Sequence, residues 1–388
     1  MISEPAKSLQ PHVADEKILV TRPFMPPLEE FTRGLREIWD NQWLTNNGPV
    51  LQRYTRKLTR YFQNDNLSLF NNGTLALQIG LQGMNITGEV ITTPFTFVAT
   101  THALYWNKIR PVFVDIEPDY YTLDPQKVEQ AITPWTKAIL AVHVFGYPCK
   151  YRALADIARR YNLALIYDAA HAFGVRVNGK PIGNLGDLSM FSFHATKLYH
   201  SLEGGMLLYK DQGLKQKFDY LRNLGFKSET RVDMPGTNAR MNEIQALMGE
   251  QVLEYLDEII SRRKKLYELY RQELEQVPGI GFSPELPGDV QASYAYVPVR
   301  VDEKSFGMSR DDLYTRLKKY NVFTRRYFYP LICDFACYRH LSMTDPLTTA
   351  RRVADQILTL PIYDKLEEED VVRICEIIKH IQKNTDCT

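Results

Sequence analysis

From about residue 65 to residue 210 the chain alternates short apolar runs with amphipathic stretches: LSLF then TLALQIGLQGM, EVITT then TFVATTHALYW, RPVFVDI then DPQKVEQAI, AILAVHVF then KYRALADIARRY, and finally LALIYDA. Apolar runs this short read as buried strands, and the stretches between them carry the three-and-four spacing of helices. Strand and helix in alternation predict a mainly parallel sheet covered on both faces. DLSMFSF and GMLLYK read as two further core strands, joined by a connection that contains Lys197.

Near residue 240 the pattern changes. Ile244, Leu247, Met248 and Val252 recur at helical spacing, and SRRKKLYELYRQELEQV leads to the breaker PGIGF. Beyond it SYAYVPVRV alternates like a strand, SRDDLYTRLKKY is a helix with Ser309 as N-cap, and EEEDVVRICEIIKHIQ is a terminal amphipathic helix. The expected organisation is an N-terminal tail over 1–22, a large α/β domain over 23–262 and a small C-terminal α+β domain over 263–388.

Composition narrows the function classes. Forty-seven basic and forty-six acidic residues leave a formal net charge of +1, so no global field favours nucleic acid or an acidic membrane. No apolar run approaches the roughly 18–20 residues that span a bilayer. The opening MISEPAKSLQPHVADEK lacks the basic-then-apolar order of a signal peptide, which places the protein in the cytoplasm as an expectation. Five scattered cysteines with no C-x-x-C pair read as reduced thiols, and no metal site is expected.

In a sheet of this kind ligands collect beyond the carboxyl ends of the strands, so the residues there are the candidates for chemistry. LSLF runs into Asn71-Asn72-Gly73-Thr74 and straight into a helix, whose free N–H groups and dipole suit a phosphate. EVITT is followed by Phe97 at the mouth of the sheet, on the first turn of a helix. LALIYD ends in Asp168, with His171 one turn on. Taken singly each has an ordinary explanation: a geometric turn, a packed ring, a helix cap, a surface lysine. Together, a phosphate cradle, a flat aromatic surface, a carboxylate and a lysine are the parts that hold pyridoxal 5'-phosphate. Lys197 would condense with its aldehyde and Asp168 would keep its ring nitrogen protonated. No Walker loop or G-x-G-x-x-G fingerprint occurs, which speaks against a sugar-nucleotide oxidoreductase.

The ordered motifs NNGTLAL, TPFTFVAT, RPVFVDI, HVFGYP, YDAAHAFG, SFHATK, EGG, TNARMNEIQA and LPIYDKL resemble the DegT/DnrJ/EryC1/StrS family of pyridoxal-phosphate sugar-nucleotide aminotransferases, from WLTNNGP nearly to the C-terminus. The resemblance implies an α/β, aspartate-aminotransferase-like (fold type I) architecture. It makes Lys197 the catalytic lysine and Asp168 the partner of the pyridine nitrogen. It puts His171 near the 3-hydroxyl, Phe97 against the ring, and Gly73, Thr74 and Ser192 at the phosphate. Asn238 matches an asparagine that reaches the phosphate from a neighbouring subunit, implying a homodimer with composite active sites. Many relatives have a glycine-tyrosine-asparagine pattern where this chain has Gly236-Thr237-Asn238. Related dehydrases carry histidine where Lys197 stands. The segments VITTPFTFVATTHALYWNKIRPVFVDI and IYDAAHAFGV resemble enzymes that aminate C4 of dTDP-4-keto-6-deoxyglucose with L-glutamate as donor. C3 amination, sugar dehydration and a non-catalytic pyridoxal-phosphate-binding regulator are the alternatives, the last disfavoured by a short N-terminal tail with no room for a DNA-binding module.

Overall fold

The computed structural model describes residues 13–384 apart from residue 15 and residues 342–344. At its centre is a seven-stranded sheet built from β1 (Leu67–Phe70), β2 (Glu89–Thr92), β3 (Arg110–Phe113), β4 (Thr136–Val142), β5 (Ala164–Asp168), β6 (Leu188–Ser192) and β7 (Gly205–Tyr209), in the order β1-β7-β6-β5-β4-β2-β3. All neighbours from β6 to β3 are parallel, and β7 runs antiparallel to both β1 and β6. The mainly parallel sheet expected from the alternating pattern is therefore present, with one reversed strand. Helices cover both faces, as a sheet buried on both sides requires. Ile38, Tyr54, Leu58, Phe191 and Leu247 pack on one side, and Ala76, Leu77, Leu104, Ile166 and Phe218 on the other.

Helices α1 (Leu28–Asn41) and α2 (Pro49–Phe62) precede the sheet, α3 (Gly73–Gly83) follows β1, α4 (Ala99–Trp106) follows β2, and α5 (Glu243–Glu254) comes after β7, a short helix (Leu214–Leu221) and a small hairpin (Phe226–Ser228 with Arg231–Val232). The long helix α6 (Leu256–Leu274) crosses residue 262. Its Leu256 and Ile259 lie in the core around the sheet, and its Leu266, Tyr270 and Leu274 in a second core. That second core surrounds an antiparallel sheet of β8 (Ile280–Gly281), β9 (Val297–Val301) and β10 (Ile357–Leu360), closed by α7 (Glu368–Lys383). Of SYAYVPVRV only Val297–Val301 is strand; Ser309 does cap its helix, accepting from the Asp312 N–H at 3.1 Å. Within the stretch assigned to a tail, Ile18 and Leu19 pair in parallel with Val322 and Phe323, while residues 1–12 lie outside the described residues. None of the described helices is long and apolar enough to cross a membrane.

One buried carboxylate fixes the start of α2. Glu243 is 0% exposed and accepts from the N–H groups of Val50 at 2.8 Å and Leu51 at 3.2 Å. Gly48, the residue before α2, has no side chain to cap with, and a Cβ there would meet the Glu243 carboxyl carbon at 2.6 Å. The cap is thus supplied from α5, and the negative charge sits at the positive end of α2. Glu243→Ala is expected to cost about 2–3 kcal/mol, read as a lower denaturant midpoint. An unchanged midpoint would show that α2 is held by its apolar face alone.

Candidate active site

The reversed strand β7 brings two turns together. Gly205, its first residue, is paired with Ser192 at the end of β6 and with Phe70 at the end of β1. A Cβ on Gly205 would lie 2.5 Å from the Asn72 carbonyl oxygen and 2.7 Å from the Gly73 nitrogen, and one on Gly73 would lie 2.9 Å from the Ser192 Cβ. At Gly205 backbone meets backbone, and at Gly73 a side chain would meet the Ser192 Cβ, so both places favour glycine. Asn72 caps α3 by accepting from the Leu75 N–H at 2.8 Å. Among the described residues nothing accepts from the N–H groups of Gly73 and Thr74, and the Ser192 hydroxyl has no partner. Two free donors at a helix N-terminus beside a free hydroxyl form a seat for an oxyanion. The structure thus brings Gly73, Thr74 and Ser192 to one place.

Asp168, at the end of β5, is 5% exposed. Its Oδ2 accepts from the Thr100 hydroxyl at 2.7 Å and its Oδ1 from the Ala170 N–H at 3.1 Å. Burial raises the carboxyl pKa, while the Thr100 and Ala170 bonds and the charge of Lys197 pull it back. Lys197 lies on the connection between β6 and β7, half-buried, with its Nζ 3.5 Å from the Tyr296 hydroxyl. Burial lowers its pKa, against the upward pull of Tyr327 and Asp168. No ion pair joins Asp168 to Lys197 among the described residues, and burial leaves the amine less basic than usual. That is the environment in which a lysine amine becomes a nucleophile and a base.

His171 accepts at Nδ1 from the Phe145 N–H at 3.2 Å, which leaves its proton on Nε2. Burial, with the nearby Lys197 charge, lowers its pKa well below the usual value, so the ring is neutral. It lies near-parallel to Phe328 at 5.7 Å between centroids and touches Tyr296 at 4.6 Å. Phe97 precedes α4 rather than lying within it, and its ring is 56% exposed, so the core-packing explanation does not apply. Asn238 lies on an exposed loop beside the Gly73 turn of its own chain: its backbone carbonyl is 3.5 Å from the Asn71 amide, and its Oδ1 accepts from Arg240 at 3.3 Å. Sequence reasoning missed Thr100, Tyr296, Tyr327 and Phe328. Thr100 had a signal, lying three residues after Phe97 beyond a strand end; the two tyrosines and Phe328 come from distant chain.

Residues 28–379 match the DegT/DnrJ/EryC1/StrS aminotransferase family. A dTDP-4-amino-4,6-dideoxy-D-glucose transaminase of Shigella dysenteriae is 43% identical over 369 residues, which cover 95% of this chain and 100% of that protein. An Escherichia coli protein of the same name is 45% identical over 369 residues, covering 94% of this chain and 98% of that one. The crystal structure of DesI in the presence of its TDP-sugar product superposes with a TM-score of 0.91 at 35% identity, over 96% of this chain and 94% of that chain. The PLP-form of Spr1654 from Streptococcus pneumoniae superposes with a TM-score of 0.87 at 25% identity, over 95% and 99%. The resemblance carried by the ordered motifs holds, and with it the α/β, fold type I architecture. The chain belongs to the DegT/DnrJ/EryC1/StrS aminotransferase family.

Proposed function

We propose that the protein moves the amino group of L-glutamate to C4 of dTDP-4-keto-6-deoxy-D-glucose, with pyridoxal 5'-phosphate as cofactor. The product is a dTDP-4-amino-4,6-dideoxyhexose, a building block for cell-surface polysaccharide or related glycosides. The observation that carries the reaction type is Lys197, an amine of lowered basicity set near but not paired with the buried Asp168. The choice of C4 and of a dTDP sugar is supported by the names of the two transaminases that match along nearly the whole chain.

The residues present fit the cofactor. The crowding that excludes a Cβ at Gly73 and Gly205 leaves a backbone-lined seat for its phosphate, held by the N–H groups of Gly73 and Thr74 and the Ser192 hydroxyl. Asp168 would face the ring nitrogen and stabilise its proton; neutral His171 would lie near the 3-hydroxyl; the exposed Phe97 ring is free to stack. When bound, pyridoxal 5'-phosphate supplies an aldehyde that carries the amino group and a ring that takes up an electron pair. Lys197 does the proton work. As the free amine it removes the α-proton of the donor; as the ammonium it would deliver that proton to the cofactor's C4' carbon, and with the sugar it runs the same transfer in reverse. Asn238 would reach the phosphate from a second copy of the chain once its carboxamide exchanges Arg240 for the oxyanion, which makes the working unit a homodimer.

Borohydride reduction of the holoprotein followed by peptide mapping should place the pyridoxyl mass on Lys197, and Lys197→Ala should lose at least about 10²–10⁴-fold in turnover. Label on another lysine overturns that role. Incubation with glutamate and the 4-keto sugar nucleotide should give a product whose NMR spectrum has nitrogen at C4; nitrogen at C3, or loss of the C3 hydroxyl, rejects the regiochemistry alone. Mixing inactive Lys197→Ala chains with inactive Asn238→Ala chains should restore part of the activity, because one site of each mixed dimer then carries neither defect. A fully active Asn238→Ala homodimer would sink the shared site.

A further inference from the structure

Two threonines stand behind Asp168. Thr96 is 4% exposed and Thr100 0%. The Thr100 hydroxyl lies 2.7 Å from Asp168 Oδ2, and the Thr96 hydroxyl lies 3.0 Å from that of Thr100. A carboxylate only accepts, and a hydroxyl has one hydrogen. With Asp168 ionised, Thr100 must donate to it, and Thr96 must therefore donate to Thr100. The order of the three groups is fixed by their chemistry. A proton on Oδ2 of Asp168 would have to reverse it. The adjacent Thr101 is equally buried, and its hydroxyl has no partner among the described residues, so burial alone does not produce such a chain.

We infer that Thr100, oriented by Thr96, is a positioning residue that keeps the proton on the cofactor's ring nitrogen by holding Asp168 as a carboxylate. The inference rests on the reading of Asp168 as the partner of that nitrogen. The proton between nitrogen and carboxylate has two resting places, and a hydrogen bond donated to Oδ2 favours leaving it on nitrogen. The other bond to the carboxylate comes from the Ala170 backbone and survives any side-chain change. Among the influences that lower the carboxyl pKa against burial, the Thr100 bond is foremost, ahead of Ala170 and Lys197. The titratable groups whose charge couples to Asp168 are Lys197, Tyr296 and Cys149. The last two are neutral at neutral pH, since burial raises both. No other side-chain hydrogen bond reaches the carboxylate among the described residues. The turn that carries Thr100 is tied by its N–H to the Phe97 carbonyl at 3.2 Å, so the same few residues set Phe97 and the carboxylate.

The test uses holoprotein loaded with cofactor labelled with ¹⁵N in the ring, the nitrogen shift reporting its protonation, together with the cofactor dissociation constant. Thr100→Val, nearly isosteric but without the hydroxyl, should move the nitrogen signal toward the unprotonated form and weaken cofactor binding by about tenfold or more. Thr100→Ser should restore the parent signal. Thr96→Val should move it the same way by less, and serves if Thr100→Val does not fold. Asp168→Asn separates the two levels: a parent-like signal there overturns the role of Asp168 itself. A shifted signal in Asp168→Asn with a parent-like signal in Thr100→Val overturns only the inference. So does Thr100→Ser behaving like Thr100→Val, which would make the methyl packing decisive.

Discussion

Everything at the site depends on one strand running the wrong way. Because β7 is antiparallel to both neighbours, the chain must turn back after β6, and that return carries Lys197. The same pairing sets Ser192, Gly205 and Phe70 in one row, so the turn after β1 meets the end of β6 without any long-range loop. The contact is too close for a Cβ at Gly205, which would meet the Asn72–Gly73 backbone, or at Gly73, which would meet Ser192. GMLLY is buried on both faces, so a slip of one residue would keep its apolar contacts but set a side chain against the Asn72–Gly73 backbone. The glycine at 205, rather than the hydrophobic pattern, thereby fixes the geometry of the polar site.

Burial then sets the chemistry. Asp168, Lys197 and His171 are each pushed toward neutrality by loss of water, and the bonds each makes decide how far it moves. A hydrogen bond to a charged group contributes roughly 1.5–3 kcal/mol, the equivalent of one to two pKa units. The Thr100 and Ala170 bonds work against burial in this way, although burial remains the larger influence on Asp168. Lys197 has only the weak contact with Tyr296 and is left less basic. Burial thus moves both groups toward neutrality, opposed at Asp168 by two short hydrogen bonds and at Lys197 by the charge of Asp168.

Much of this was readable from sequence. The alternation of apolar runs placed Asp168, Gly73 and Phe97 at strand ends, and that follows from the rule that such sheets bind ligands there. What was unreadable needed register or distant chain. Thr100 and Thr101 are adjacent and both buried, and only the pitch of α4 decides which one meets Asp168. Glu243 looks like an acid in the first turn of its own helix, yet it caps α2, 192–193 residues earlier. Ile18 and Leu19 sit in a stretch without periodicity and become strand only because Val322 and Phe323 offer them an edge.

Tyr296 immediately precedes β9 and Tyr327 lies farther along the chain, yet both stand at Lys197, Tyr296 with its hydroxyl 3.5 Å from the amine. The amine is therefore tuned by a wall it does not belong to. A change 99 residues away in the chain is thereby felt at the amine: a smaller side chain at Tyr296 would let water reach Lys197 and restore part of its basicity.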